Sequence, residues 1–196
     1  MDSLRQPHHR HPHRLEQHDY SQPGGYFVTI CTRGRICLFG HIIDGSMDLN
    51  AFGKIVWAEL VNTAELRPRV TLDSFVIMPN HIHTILLLTD TANASNDHAF
   101  VRKERFGQPT SDSLPTAVRL LKSATTSRIN TLRGTPGQPV WQRNYYEHVI
   151  RNDDSLHHIR EYIADNPLQW AFDRENPTPH TSSVNPDKKN IEPWMV

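Results

Sequence analysis

Met78-Pro79-Asn80-His81-Ile82-His83, running on into Thr84-Ile85-Leu86-Leu87-Leu88, is the stretch around which the chain is organised. Pro79 and Asn80 are turn formers, and the apolar run after them suits a buried strand. Successive side chains on a strand alternate between faces, so His81 and His83 share one face while Ile82 points into the core. At a rise of roughly 3.3 Å per residue their Cα atoms stand about 6 to 7 Å apart, which lets two imidazoles converge on one metal ion. Two ordinary histidines at a strand start would show the same pattern. A metal site therefore needs partners from elsewhere in the chain.

Outward from that strand, Val70 to Met78 reads as its antiparallel hairpin partner across the Pro79-Asn80 turn. Before it, a helix is expected from Asn50 or Ala51 to Leu66: Phe52, Ile55, Val56, Leu60 and Ala64 form one stripe, and Pro68 stops it. Tyr26 to Thr32 is dense in β-formers after the turn Pro23-Gly24-Gly25. A turn at Gly34 and a short second strand at Ile36 to Phe39 follow, then a connector over Ile42 to Leu49 with room for a strand pair turning at Asp44-Gly45. Residues 89 to about 112 read as a long polar loop. A second helix is expected from Leu114 to about Leu132, with Pro115 in its first turn and Gly134 at its end. Its inward stripe is Ala117, Leu120, Leu121, Ala124 and Ile129, leaving Arg119, Lys122 and Arg128 nearer the solvent. Val140 to Ile150 is strand or extended. Asn152-Asp153-Asp154-Ser155 then supplies the N-cap and acidic first turn of a last helix that runs to Asp165 or Asn166, before Pro167. No internal repeat is visible. The economical architecture is one α+β domain with a mainly antiparallel sheet.

At 196 residues with 37% hydrophobic content, the chain can build one domain with irregular flanks. Residues 1–20 hold five of the thirteen histidines in a Pro- and Arg-bearing run and read as a flexible arm. The domain spans 21–172, and 173–196 is a Pro-rich tail. No apolar run approaches the ~20 residues of a membrane helix, so a soluble, cytoplasmic protein is expected. Cys31 and Cys37 are expected as reduced, packed thiols. Formal net charge is zero, which argues against non-specific coating of duplex DNA. Charge is uneven, however. Between Ser113 and Arg151, six basic residues (Arg119, Lys122, Arg128, Arg133, Arg143, Arg151) face one acid, Glu147, a local field suited to phosphate.

On the last helix Tyr162 and Asn166 stand at i and i+4, on one face and within mutual reach. A tyrosine can be a nucleophile and an asparagine carbonyl a metal ligand. Taken alone, Tyr162 also reads as a core aromatic and Asn166 as a helix cap. Tyr145 and Tyr146 are rival nucleophiles. They point to opposite faces of an extended segment, and neither has a potential ligand at helical spacing.

The motif at 78–83 resembles the His-hydrophobic-His signature of the HUH single-strand nucleases. Trp141 to Asn152, followed by Ile159-Arg-Glu-Tyr-Ile-Ala-Asp-Asn-Pro167, resembles the C-terminal part of REP-associated tyrosine transposases, single-tyrosine relatives of IS200-like insertion-sequence transposases. Tyr26 to Thr32 and Ser113 to Thr116 extend the similarity over roughly residues 20 to 175. The resemblance implies a ferredoxin-like antiparallel sheet with helices packed on it. It puts His81, His83 and Asn166 on a divalent metal, magnesium or manganese, and makes Tyr162 the nucleophile. Many relatives carry glutamine in place of Asn166. The implied activity is transposase-like cleavage and rejoining of single-stranded DNA next to hairpins through a 5′-phosphotyrosine link; the alternative is a domesticated hairpin-binding protein that does not cut. Two imidazoles by themselves suit zinc, iron or nickel, while manganese tolerates both nitrogen and oxygen ligands. Arg119, Lys122, Trp141, Arg143, Tyr145, Tyr146, His148 and Arg151 are the residues expected to hold DNA, by basic grip and base stacking. Relatives occur as monomers and as homodimers, and both remain open here.

Overall fold

The computed structural model describes residues 18–90 and 113–178. The His-rich arm up to residue 17, most of the expected 89–112 loop and the tail from 179 lie outside the described residues. Among the described residues six strands and three α-helices follow one another: β1 (Gly24–Cys31), β2 (Gly40–Ile43), β3 (Ser46–Leu49), α1 (Ala51–Glu65), β4 (Val70–Ile77), β5 (His81–Leu88), α2 (Leu114–Arg133), β6 (Tyr146–Ile150) and α3 (Asp153–Asp165).

The main sheet has the order β4-β5-β1-β6, with every neighbouring pair antiparallel. Two interleaved β-α-β crossovers, β1-α1-β4 and β5-α2-β6, produce that order. Right-handed crossovers put both helices on one face, giving the ferredoxin-like arrangement that the resemblance implies. Tyr26, Val28, Ile30, Ile82, Leu86 and Leu88 pack on that face against Val56, Leu60, Leu121 and Ile129. α3 covers the opposite face, where Ile159 and Ile163 meet Phe27 and Ile85. β5 is therefore buried on both sides, which explains its continuous apolar run. Ile82 belongs to the α1/α2 core and the histidines flanking it to the α3 side.

Helix boundaries follow local chemistry. Asn50 Oδ1 accepts from the backbone N–H groups of Phe52 and Gly53 to start α1. Ser113 caps α2, with Pro115 in the first turn. Gly134, at φ +65°, ends α2 in the left-handed conformation that glycine adopts without a Cβ clash. Asn152 Oδ1 accepts from Ser155 N–H at 2.8 Å to begin α3.

Two expected strands differ. Ile36 to Phe39 is not a strand, because the N–H groups of Leu38 and Phe39 both donate to the Pro79 carbonyl and tie this segment to the His-bearing turn. The strand starts at Gly40 instead and pairs with β3 in the hairpin expected around Asp44-Gly45. Val140 to Ile150 is strand only from Tyr146. Trp141 makes a single bridge to Thr32, and then the chain leaves the ladder. The ammonium of Lys122 takes the carbonyls of Gln142 and Arg143 at 2.6 and 3.0 Å, turning them toward α2. Of the expected α2 stripe, Leu120 and Ala124 are half-buried while Val118 and Thr125 are buried in the core.

Gly53 lets α1 approach the loop before it. A Cβ there would stand 2.3 Å from the Phe39 carbonyl oxygen and 2.8 Å from Leu49 Cδ2. Since a backbone oxygen cannot swing aside, Gly53→Ala is expected to cost about 1–3 kcal/mol. A urea midpoint equal to wild type would contradict this close packing.

Candidate active site

The histidine pair sits at the start of β5, where the Pro79-Asn80 turn feeds the sheet. His81 pairs across to Cys31 and His83 to Thr29 on β1. Both imidazoles are buried, and their Nε2 atoms lie 3.0 Å apart. The outer nitrogens are held as well: His81 Nδ1 contacts Asn80 Oδ1 and His83 Nδ1 contacts Thr29 Oγ1, each at 2.8 Å. The His83 ring stacks on Phe27, with ring centres 5.3 Å apart. Burial pushes the His81 imidazolium down to about 3, with Arg174 adding to the shift and Asn166 opposing it. His83 lies well below the usual histidine range, through burial and then the charges of His81 and Arg174. Both rings are therefore neutral near pH 7, the form that binds metals.

α3 brings Tyr162 to this pair. Its hydroxyl lies 3.3 Å from His83 Nε2, and its ring packs edge-on against Phe27 and His83. One turn later Asn166, at the helix C-cap, is 3% exposed. Its amide oxygen has no hydrogen-bond partner among the described residues. A buried carbonyl without a partner costs on the order of 1–3 kcal/mol unless a ligand meets it.

A fourth group arrives from beyond α3. The turn Trp170–Phe172 reverses the chain and places Asp173 Oδ2 3.9 Å from His81 Nε2. Ligand atoms of His81, His83 and Asp173 all lie within 4.8 Å of one another. Burial raises the Asp173 carboxyl above the ordinary range, with Asn166 and Arg174 acting to lower it. Two neutral imidazoles, a carboxylate and an unpartnered amide oxygen make a mixed nitrogen and oxygen donor set that fits a divalent cation. Sequence reasoning missed Asp173 because it assigned residues from 173 to the tail. The incomplete charge of a two-histidine, one-amide set was the available signal, since divalent sites ordinarily recruit a carboxylate.

The residues expected to hold DNA divide between the two faces of the sheet. Arg119, Lys122, Trp141, Arg143 and Tyr145 line a groove of 810 Å³ between α2 and the segment before β6. Trp141 is not free to stack on a base, because its indole is buried, touches Phe39, and donates through Nε1 to Thr125 Oγ1 at 2.8 Å. Lys122 is half-buried, which lowers its pKa, rather than solvent-facing. Tyr146 and His148 lie on the other face, paired with Thr29 and Phe27, with exposed Arg151 just after β6. The two rival tyrosines thus point to opposite faces, and of the two Tyr146 is on the histidine side, where it packs on Phe27. Burial raises its pKa.

No family model matches the chain. It is 40% identical over 169 residues to an uncharacterized Haemophilus influenzae protein, covering 85% of this chain and 93% of that one. A second Haemophilus influenzae protein, described as a "Putative REP-associated tyrosine transposase", is 25% identical over 155 residues, covering 79% and 76%. The chain is thus similar in sequence to a protein described as a REP-associated tyrosine transposase. A solved REP-associated tyrosine transposase bound to a REP hairpin shares its fold, with a TM-score of 0.53 at 20% identity over 80% of this chain and 73% of that one. Among the described residues no helix is long and apolar enough to cross a membrane. Cys31 and Cys37 are free thiols, the first half-buried and the second exposed.

Proposed function

We propose that this protein is a REP-associated tyrosine transposase, a metal-dependent nuclease and strand transferase for single-stranded DNA next to a hairpin. The single observation that carries the reading is the Tyr162 hydroxyl 3.3 Å from His83 Nε2, beside the His81-His83-Asp173 cluster. In the reaction the Tyr162 oxygen attacks a backbone phosphorus, and the bond from phosphorus to the 3′-oxygen breaks. A 5′-phosphotyrosine link forms, and the phenolic proton is balanced by the proton gained on the released 3′-hydroxyl. Because the link preserves the phosphodiester energy, a later 3′-hydroxyl reverses the step without ATP.

His81, His83, Asp173 and Asn166 would hold the divalent cation, magnesium or manganese. Bound there, it would supply the positive charge that a phosphate under attack and a leaving oxygen require. Phe27 fixes the His83 and Tyr162 rings relative to each other. Burial of the cluster excludes water that would compete with the tyrosine.

The basic groove would hold a strand, or the unpaired base of a hairpin, with Arg119 and Arg143 at its rim and Tyr145 as a stacking surface. Arg151, His148 and Tyr146 would grip the strand on the active-site side of the β6 edge. Arg119→Glu with Arg143→Glu is expected to weaken binding of a hairpin with a single-stranded flank at least tenfold. The double change should also flatten the salt dependence by about 0.7 per lost phosphate contact. Unchanged affinity and slope would remove the groove from the binding surface.

The testing experiment incubates labelled hairpin-bearing oligonucleotides with the protein in manganese or in EDTA and resolves the products on a denaturing gel. A metal-dependent covalent protein–DNA band is the expected result. A shift on a native gel with no covalent product from any oligonucleotide would instead favour the non-cutting, hairpin-binding alternative.

A further inference from the structure

We propose that Asn80 locks His81 in one proton tautomer while Thr29 follows His83 in either, so that the pair is set to receive a cation. The second half of this statement rests on the metal reading above.

Asn80 is fully buried. Its Nδ2 lies 3.1 Å from the Arg35 carbonyl and 2.6 Å from the Glu175 carbonyl. Carbonyls only accept, so both contacts require the amide nitrogen there and fix the side chain's orientation. The amide oxygen consequently faces His81 Nδ1 at 2.8 Å and, being an acceptor, demands a proton on that nitrogen. A neutral His81 with its proton on Nδ1 presents a lone pair at Nε2. Arg35 lies just beyond β1 and Glu175 just beyond α3, so residues remote in sequence hold the lock.

His83 has a different partner. Its Nε2 is 3.0 Å from His81 Nε2, and two lone pairs cannot face each other at that distance in a buried site. Without a cation, His83 must carry its proton on Nε2 and donate it to His81. Its Nδ1 then accepts from the Thr29 hydroxyl at 2.8 Å. With both Nε2 atoms turned to a cation, the His83 proton belongs on Nδ1, and the same hydroxyl must accept. A hydroxyl can do either by rotating, whereas an amide oxygen cannot. Asn80 and Thr29 are positioning residues: neither reaches the reacting atoms, and each acts through one imidazole.

Long-range ¹H–¹⁵N spectra of the full chain with labelled histidine test this, first in EDTA and then with zinc as a diamagnetic probe. The expected result is His81 with Nδ1–H in both states and His83 passing from Nε2–H to Nδ1–H. The metal-free spectrum decides the tautomers on its own: His81 protonated at Nε2, or both rings in one tautomer, overturns the assignment. Zinc leaving both rings unchanged would overturn the exchange and the metal reading together, while the metal-free assignment stood or fell separately. Thr29→Val is expected to weaken manganese binding, read as free Mn²⁺ by electron paramagnetic resonance, about 10- to 100-fold, and Thr29→Ser to restore it. Wild-type manganese affinity in Thr29→Val would remove Thr29 from the role.

Discussion

Tyr162→Phe is expected to abolish the covalent protein–DNA product, a loss of at least about 1000-fold, because the substitution deletes the attacking atom and no neighbour replaces it. Fold and DNA affinity should persist. The ring keeps its packing on Phe27 and His83, and the hydroxyl contact to His83 is long at 3.3 Å. The informative comparison is with Tyr146→Phe, since Tyr146 lies on the same face and also packs on Phe27. Equal adduct formation by wild type and Tyr162→Phe, with loss in Tyr146→Phe, would move the nucleophile to β6 and detach α3 from the chemistry. Loss in neither would leave Tyr145 as the remaining rival, on the groove side of the sheet.

The second large effect concerns stability in acid. His81 and His83 are buried neutral, with folded values depressed below the ordinary histidine range, His81 to about 3. The unfolded chain therefore binds protons that the folded chain refuses. The sign follows: the pair's contribution is fully present above the unfolded value of about 6.5 and is lost as pH falls toward the folded values. A histidine in that window contributes a slope of about 1.4 kcal/mol per pH unit, so His81 would remove about 2 kcal/mol between about pH 7.5 and pH 5, and His83 adds to the loss in the same direction. Against a typical domain stability of about 5–15 kcal/mol, that is a large share. Urea denaturation in EDTA at the two pH values measures it directly. A His81→Gln, His83→Gln variant should show a much flatter dependence. Wild-type stability that does not change across this window would mean that the imidazoles reach solvent and are not the sealed cluster described here.

Local chemistry in the chain carried much of the architecture. The extents of β5 and α3 follow from turn residues, caps and periodicity that act over a few positions: Pro79-Asn80 before β5, and Asn152 and Pro167 bracketing α3. The placement of His81 and His83 on one face also follows from strand alternation alone. Tyr162 and Asn166 share a helix face for the same local reason. What escaped local reading was decided at long range. Ile36 to Phe39 has strand-forming residues but is claimed by the Pro79 carbonyl. Val140 to Ile150 is broken because an amine twenty residues earlier takes its carbonyls.

The same division holds in the active site. Spacing made the histidine pair, and the tyrosine with the asparagine one turn later, candidates, and the resemblance singled them out. Trp141, read as a base-stacking surface, proved to be a core residue whose N–H is held by Thr125. Asp173 joined the cluster only because a short turn after Pro167 folds the chain back over β5, and neither spacing nor periodicity extends across such a reversal. Asn80 looked like a turn former, which it is, but its amide also ties the chain after β1 to the chain after α3. By itself, then, the sequence determined which elements carry the candidate residues, since propensity, capping and alternation act between near neighbours, while the roles proposed for those residues came from the resemblance. Only tertiary structure decided which groups complete the cluster and which face each basic residue serves, because those depend on contacts between segments as much as 144 positions apart, such as Cys31 and Glu175.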